Sequence, residues 1–206
     1  MTSLVKTLAS KPWLSGKDQM GEPVEVRSFH FADKKVGLLA FFFVASSLFM
    51  LFIVGYRLRM VYEDWAPLQE PLTLWINSGF LVLASLALEF ARQCMKRDNL
   101  RWGRWAFNAG GAASLLFLTG QLAAWQQLSE AGYMVASNPA SSFFYLLTGI
   151  HGAHLLGGLV AWARTLTHLQ AGGDRAAAQS SMDLCAIYWH YLLIVWGVLF
   201  YLLLVT

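Results

Sequence analysis

The sequence predicts an all-α fold, an integral membrane bundle of five transmembrane helices with its N-terminus in the cytoplasm and its C-terminus in the periplasm. Three observations carry that prediction. Hydrophobic residues make up 57% of the 206-residue chain and charged residues only 13%, where a soluble domain carries roughly 25% charged residues. A chain of 23.0 kDa with a mean hydropathy of +0.48 has more apolar surface than it can bury within itself, so the excess must face lipid. The apolar residues fall into five runs, each long enough for the roughly 20 helical residues that a hydrocarbon core requires. The basic residues between the runs alternate in density.

Residues 1–35 are mixed and polar and read as a cytoplasmic N-terminal segment. They contain no signal-peptide pattern, so insertion without cleavage is expected. The transmembrane domain covers 36–206. Its first span runs from Val36 to Tyr56, and its second, Leu72 to Arg92, follows Pro67 and Pro71. The third runs from Ala106 to Gln127. The fourth, Ser142 to Arg164, opens after Asn138-Pro139, and the fifth, Met182 to Val205, after Gly172-Gly173. Such Pro and Gly signals mark turns and helix ends. Inside lipid each backbone polar group must pair within its own segment, which makes every run helical.

Direction follows from Lys and Arg. Six precede the first span (Lys6, Lys11, Lys17, Arg27, Lys34, Lys35) and two follow it (Arg57, Arg59). Five lie between the second and third spans (Arg92, Lys96, Arg97, Arg101, Arg104), none between the third and fourth, and two in the last loop (Arg164, Arg175). Alternate islands therefore hold 13 against 2, and the positive-inside bias places the N-terminus in the cytoplasm. The net charge of +3 makes no continuous basic stripe of the kind nucleic acid selects. Cys94 and Cys185 are too few for a secreted disulfide framework. Both fall near the cytoplasmic ends of spans, where reduced thiols are expected. Trp65, Trp75, Trp102, Trp105 and Trp125 lie near span ends, as headgroup-level anchors do.

Candidate chemistry is concentrated in the fourth span, which reads Thr148-Gly149-Ile150-His151-Gly152-Ala153-His154 and continues to Gly157 and Gly158. Polar groups at this depth are costly and need partners. Gly149, Ala153 and Gly157 recur every four residues, and with Gly152 and Gly158 they make a small-residue surface on which a neighbouring helix can pack closely. Three readings compete for the histidines. His151 or His154 could join His190 of the fifth span as axial ligands of a haem between helices, making the chain a small haem-b electron carrier. They could serve a proton relay, although no acid lies deep in a span and Glu89 comes nearest. Or they could belong to a structural polar network with Asn77 and Gln121. A small transporter would need intramembrane charges or a broken helix along a path, and neither is seen.

The fourth and fifth spans resemble the haem-copper oxidase subunit III family, that is, cytochrome c oxidase subunit 3 and its relatives in quinol oxidases and nitric oxide reductases. The family's Thr-Gly-x-His-Gly-x-His followed by Gly is similar to Thr148, Gly149, His151, Gly152, His154 and Gly158, and its Tyr-Trp-His-Phe to Tyr188, Trp189, His190 and Tyr191, with Trp196 beyond. Pro71, Asn77 and Ser78 match the preceding helix pattern, and Phe117, Gln121 and Trp125 match Phe-x3-Gln-x3-Trp. The resemblance spans residues 36 to 206 and corresponds to a short five-helix form, where full-length members have seven helices.

That resemblance implies a non-catalytic subunit III with no catalytic residue, no metal and no cofactor of its own, haem and copper being held by partner subunits. It implies packing against the catalytic subunit I and subunit II in a bacterial inner membrane, phospholipid binding, and support of aerobic electron transfer and proton uptake. Arg164 and His168 resemble the family's Arg and His at a lipid phosphate, for which a guanidinium fork is chemically suited. Three departures point to a divergent bacterial branch. The buried Glu that the family's mitochondrial-type members carry in the first of these helices is replaced within Val44-Ala45-Ser46-Ser47-Leu48, a Glu of the third by Ala124, and an Asp of the fifth by Leu193.

Overall fold

The structure, a computed structural model, describes residues 26–66, 72–135, 137–170 and 175–205, with side chains from residue 34 onward except at 170 and 175. Expectations attached to residues 1–25, Pro67, Pro71 and Gly172-Gly173 lie outside the described residues. The described chain forms α1 (Val26–Arg59), α2 (Leu72–Lys96), α3 (Leu100–Glu130), α4 (Pro139–Gln170) and α5 (Arg175–Leu204), and it contains no strand. Each of the five apolar runs lies inside one helix, the last to within Val205. The helices outrun the apolar runs because backbone pairing continues into the headgroup layer. There long basic side chains, such as Arg57 and Arg59 of α1 and Lys96 of α2, can extend to water.

By length and composition α1, α2, α4 and α5 can each cross a membrane. The 31-residue α3 has the length but a more polar run. Gly110, Gly111, Ser114 and Gln121 dilute its hydropathy, and all four are buried against neighbouring helices.

Short, well-defined junctions fold these helices back on one another. After α2, Asp98 takes φ 59. The Asn99 amide bonds the Cys94 carbonyl (2.9 Å) and the Asp98 amide the Met95 carbonyl (3.1 Å), the paired bonds that close a helix end on a left-handed residue. Gly132 ends α3 the same way, with φ 91 and the Tyr133 amide on the Leu128 carbonyl at 2.9 Å. At the start of α4 the Asn138 side chain accepts from the Ser141 amide (3.0 Å), and Pro139 fills the first helical position.

Helices α2, α3, α4 and α5 pack in a ring, each against the next. The most extensive contact is α2 to α3, where a Cβ on Gly110 would lie 2.7 Å from Leu88 Cγ and one on Gly103 would lie 3.1 Å from Met95 Sδ. Between Phe41 and Tyr56, α1 meets α4 and α5 through aromatic side chains. Phe42 stacks on Tyr191 at 4.1 Å, and Tyr56 meets Phe143 edge-on at 5.5 Å. Its buried seam is Ala45, Phe49 and Tyr56, while Phe43, Val44, Met50 and Leu51 point outward.

Apolar burial alone does not hold helices together in lipid, because acyl chains are as apolar as leucine. Here a recurrent polar pin adds direction. An indole N–H donates to a hydroxyl that itself donates to the carbonyl four residues back in its own helix. Trp189 bonds Ser114 (2.7 Å), Trp196 bonds Ser78 (2.8 Å) and Trp125 bonds Thr148 (3.0 Å). The three hydroxyls donate to Gly110, Leu74 and Phe144. Trp162 of α4 instead donates to the Phe107 carbonyl of α3 at 2.9 Å, across a gap that a Cβ on Gly111 would fill.

Candidate functional site

Two of the predicted network residues meet directly. Asn77 of α2 donates its amide to Gln121 Oε1 of α3 at 3.1 Å, with both side chains buried. His151 is fully buried, donates Nε2–H to the Leu192 carbonyl of α5 at 3.2 Å, and packs its ring against Trp196 and Phe117 at 5.0 and 5.7 Å. The other two histidines go elsewhere. His154 bonds the Ile150 carbonyl of its own helix (2.8 Å). Its ring meets Phe41 and Phe49 of α1 at 5.7 and 5.4 Å. These phenylalanines flank the segment Val44 to Leu48. His190 turns to Ser85 and Glu89 of α2. Among the described residues no group of three or more His, Cys, Asp or Glu gathers for a metal.

His190 belongs to a charged seam between α2 and α5 that sequence reasoning missed. Its Nε2–H donates to Glu89 Oε2 at 3.3 Å, and its Nδ1 accepts from Ser85 at 2.6 Å. Arg92 then ties two acids together, with Nη1 on Glu89 (3.1 Å) and Nε on Asp183 (3.0 Å), while Gln93 donates to Glu89 Oε1 at 3.2 Å. Arg92, Glu89 and Asp183 are each about a quarter exposed. The signal available in sequence was the Glu89-x2-Arg92 spacing, which places both on one helix face. Nothing local linked them to Asp183, 91 residues away.

Arg164 and His168 are exposed and lie one turn apart near the end of α4. Arg104 of α3 joins them at that end, donating Nη2–H to the Leu169 carbonyl at 2.8 Å. Arg164 and His168, with Arg104 reaching the Leu169 carbonyl, thus lie beside a helix C-terminus, a place that favours positive charge. Chemically such side chains can meet phosphate oxygens.

The residues of the predicted packing surface differ in how closely they meet their neighbours. Gly158 does pack tightly: an added Cβ would lie 2.6 Å from Tyr188 Cε1. Gly149 is in loose contact with Trp125 (3.4 Å) and Gly152 with Leu118 (3.7 Å). Ala153 is exposed, and Gly157 has open space beyond it. Of the every-fourth row, then, Gly149 touches Trp125 of α3, while Ala153 and Gly157 are exposed. Of the predicted anchors, Trp75, Trp102 and Trp105 are exposed, whereas Trp125 is an interhelical pin and Trp65 folds edge-on against Tyr56 at 4.8 Å. Cys94 and Cys185 are buried free thiols.

No protein-family model matches the chain. It is 29% identical over 173 residues to a cytochrome c oxidase subunit 3 of Thermostichus vulcanus, covering 82% of this chain and 85% of the relative. It is 30% identical over 173 residues to one of Synechocystis, covering 81% of this chain and 72% of the relative. A probable cytochrome c oxidase subunit 3 of Nocardia farcinica is 29% identical over 170 residues, with 80% and 76% covered.

Proposed function

The chain belongs to the cytochrome c oxidase subunit 3 family, and from that premise we propose that it is the non-catalytic subunit III of a bacterial haem-copper terminal oxidase. In this role it stabilises the catalytic subunit, binds phospholipid and supports respiratory electron transfer and proton uptake. The observation that carries the reading is where the polar groups go. Indoles, the His151 and His190 imidazoles and the Arg92–Asp183 pair are spent on neighbouring helices, which suits a supporting bundle whose redox chemistry lies on other chains. Subunits I and II then hold the haem and copper.

The phospholipid site is formed by Arg164 and His168. Their exposure and their place at one helix end support it, since a fork of guanidinium N–H groups matches phosphate oxygens. Arg164→Ala in the purified complex is expected to lose co-purifying anionic phospholipid and to inactivate faster during turnover. Unchanged lipid content removes this role. A tagged full chain is expected to co-isolate the catalytic subunit, and isolation of the chain alone with its own haem spectrum overturns the reading.

We place the N-terminus in the cytoplasm and the C-terminus in the periplasm of the inner membrane, which requires α3 to cross as well. Its 31 residues span about 46 Å at 1.5 Å each, enough for the full bilayer. A reporter active only in the periplasm, fused after Thr206, tests the direction. An inactive fusion with the protein intact rejects five crossings from a cytoplasmic start.

A further inference from the structure

Three buried polar atoms of the ring lack a hydrogen-bond partner in the protein: Asn77 Oδ1, which lies beside Gly120 of α3, Gln121 Nε2 and His151 Nδ1. Their residues are 1%, 4% and 0% exposed and come from three different helices. Several contacts bring them to one level. Asn77 and Gln121 already share a hydrogen bond of 3.1 Å. Between α3 and α4, Trp125 meets Thr148 on one side of that level and Leu118 meets Gly152 on the other, so Gln121 and His151 fall opposite each other. From α5, Trp196 reaches both Ser78, next to Asn77, and the His151 ring.

The orphaned atoms are chemically complementary. His151 donates Nε2–H to Leu192, so in the neutral ring its Nδ1 is a bare acceptor. Asn77 Oδ1 is a second acceptor, and Gln121 Nε2–H is a donor. Exchanging oxygen and nitrogen in both amides leaves the same count, one donor and one acceptor, because the Asn77–Gln121 pair uses only one of each. Two acceptors and one donor on one level are the complement of a single water molecule. A metal ion or hydronium is disfavoured, since the donating amide opposes positive charge and the set contains no carboxylate.

We infer that Asn77, Gln121 and His151 form a binding site for one structural water, which accepts from Gln121 Nε2–H and donates to Asn77 Oδ1 and His151 Nδ1. Buried waters in proteins typically make about three such bonds to otherwise unpaired groups. This water would join α2, α3 and α4 where the Asn77–Gln121 bond alone joins two. The site consists of neutral groups and is distinct from the charged α2–α5 seam.

Cryo-electron microscopy of the full chain in its native complex, at a resolution that shows ordered waters, tests the site. The expected result is one isolated density peak within hydrogen-bond distance of all three atoms. Finding the Gln121 amide bonded directly to His151 Nδ1, with no peak between them, overturns the proposal. In a Gln121→Leu complex the peak is expected to vanish, and an unchanged peak there also overturns it. The unmodified complex is decisive by itself if that variant does not assemble.

Discussion

Two adjacent glycines of α4 should respond in opposite directions to the same added methyl group. In Gly158→Ala the new Cβ would lie 2.6 Å from Tyr188 Cε1, 3.0 Å from Tyr188 Cδ1 and 3.1 Å from Trp189 Cη2, where carbon atoms prefer about 3.5–4.0 Å. Trp189 is fully buried and pinned to Ser114, so Tyr188 must yield. Its hydroxyl then loses the His154 carbonyl, now at 2.8 Å, and its ring shifts against Phe41 and Phe42 of α1. Overpacking costs about 1–3 kcal/mol and the lost hydrogen bond about 1 kcal/mol, while alanine returns about 0.8–1 kcal/mol over glycine in a helix. The net loss is about 1–3 kcal/mol. At Gly157 nothing lies within 4 Å of the new Cβ, so only the helix term remains and Gly157→Ala is neutral or stabilising by up to about 1 kcal/mol. Hydrogen exchange of the α4 and α5 amides in the purified complex, with thermal unfolding beside it, reads both. Equal protection in the two variants, or greater protection in Gly158→Ala, refutes the reasoning.

Arg92→Met leaves Glu89 and Asp183 without their shared cation in a seam only about a quarter exposed. Its expected cost of about 1–3 kcal/mol falls between those of exposed and buried pairs. Asp183→Asn keeps a hydrogen-bond acceptor for Arg92 and should cost less by the same unfolding measurement, so equal losses would contradict the bridging role. In the loop after α1, Arg59 hydrogen-bonds Asp64 through both guanidinium nitrogens, one bond measuring 2.7 Å. That bond, more than any other influence, holds the Asp64 carboxyl below its usual range. A depressed carboxyl stabilises the fold above its unfolded value, and the contribution fades as pH falls through the folded value. Carbon-13 titration of Asp64 should therefore move upward in Arg59→Gln, and an unmoved midpoint would discount the pair.

What the sequence made legible was whatever depends on local composition. A run of about 20 apolar residues must be helical in lipid, and Asn138-Pro139 carries its own capping chemistry, so the runs and the start of α4 could be read directly. Orientation on a helix surface could not. The Gly149, Ala153, Gly157 row has the spacing of a close-packed face, yet Ala153 is exposed and Gly157 is open, whereas the tight contact falls one residue on, at Gly158. A small-residue row looks the same whether a helix or lipid lies opposite. Which one does is decided by neighbours distant in the chain. The α2–α5 seam was hidden for the same reason: Glu89 and His190 are 101 residues apart.

The tryptophans show how a bundle without a hydrophobic driving force between its helices can still select one arrangement. A Ser or Thr hydroxyl that bonds back to its own helix is a weak signal and slightly unfavourable by itself. Once its hydrogen is committed to Gly110, Leu74 or Phe144, however, the oxygen can act only as an acceptor toward another helix. An indole has one donor and no acceptor, so each such oxygen can receive one. The pairing therefore has a direction and a register. Trp189 fixes α5 on α3, Trp196 fixes α5 on α2, and Trp125 fixes α3 on α4. A slide of one residue, about 1.5 Å along an axis, would strand an N–H that has no water to turn to. Apolar side chains tolerate such slides because one methyl group replaces another. The neutral pins supply the specificity that the apolar surface lacks, each through one uncharged donor and one uncharged acceptor.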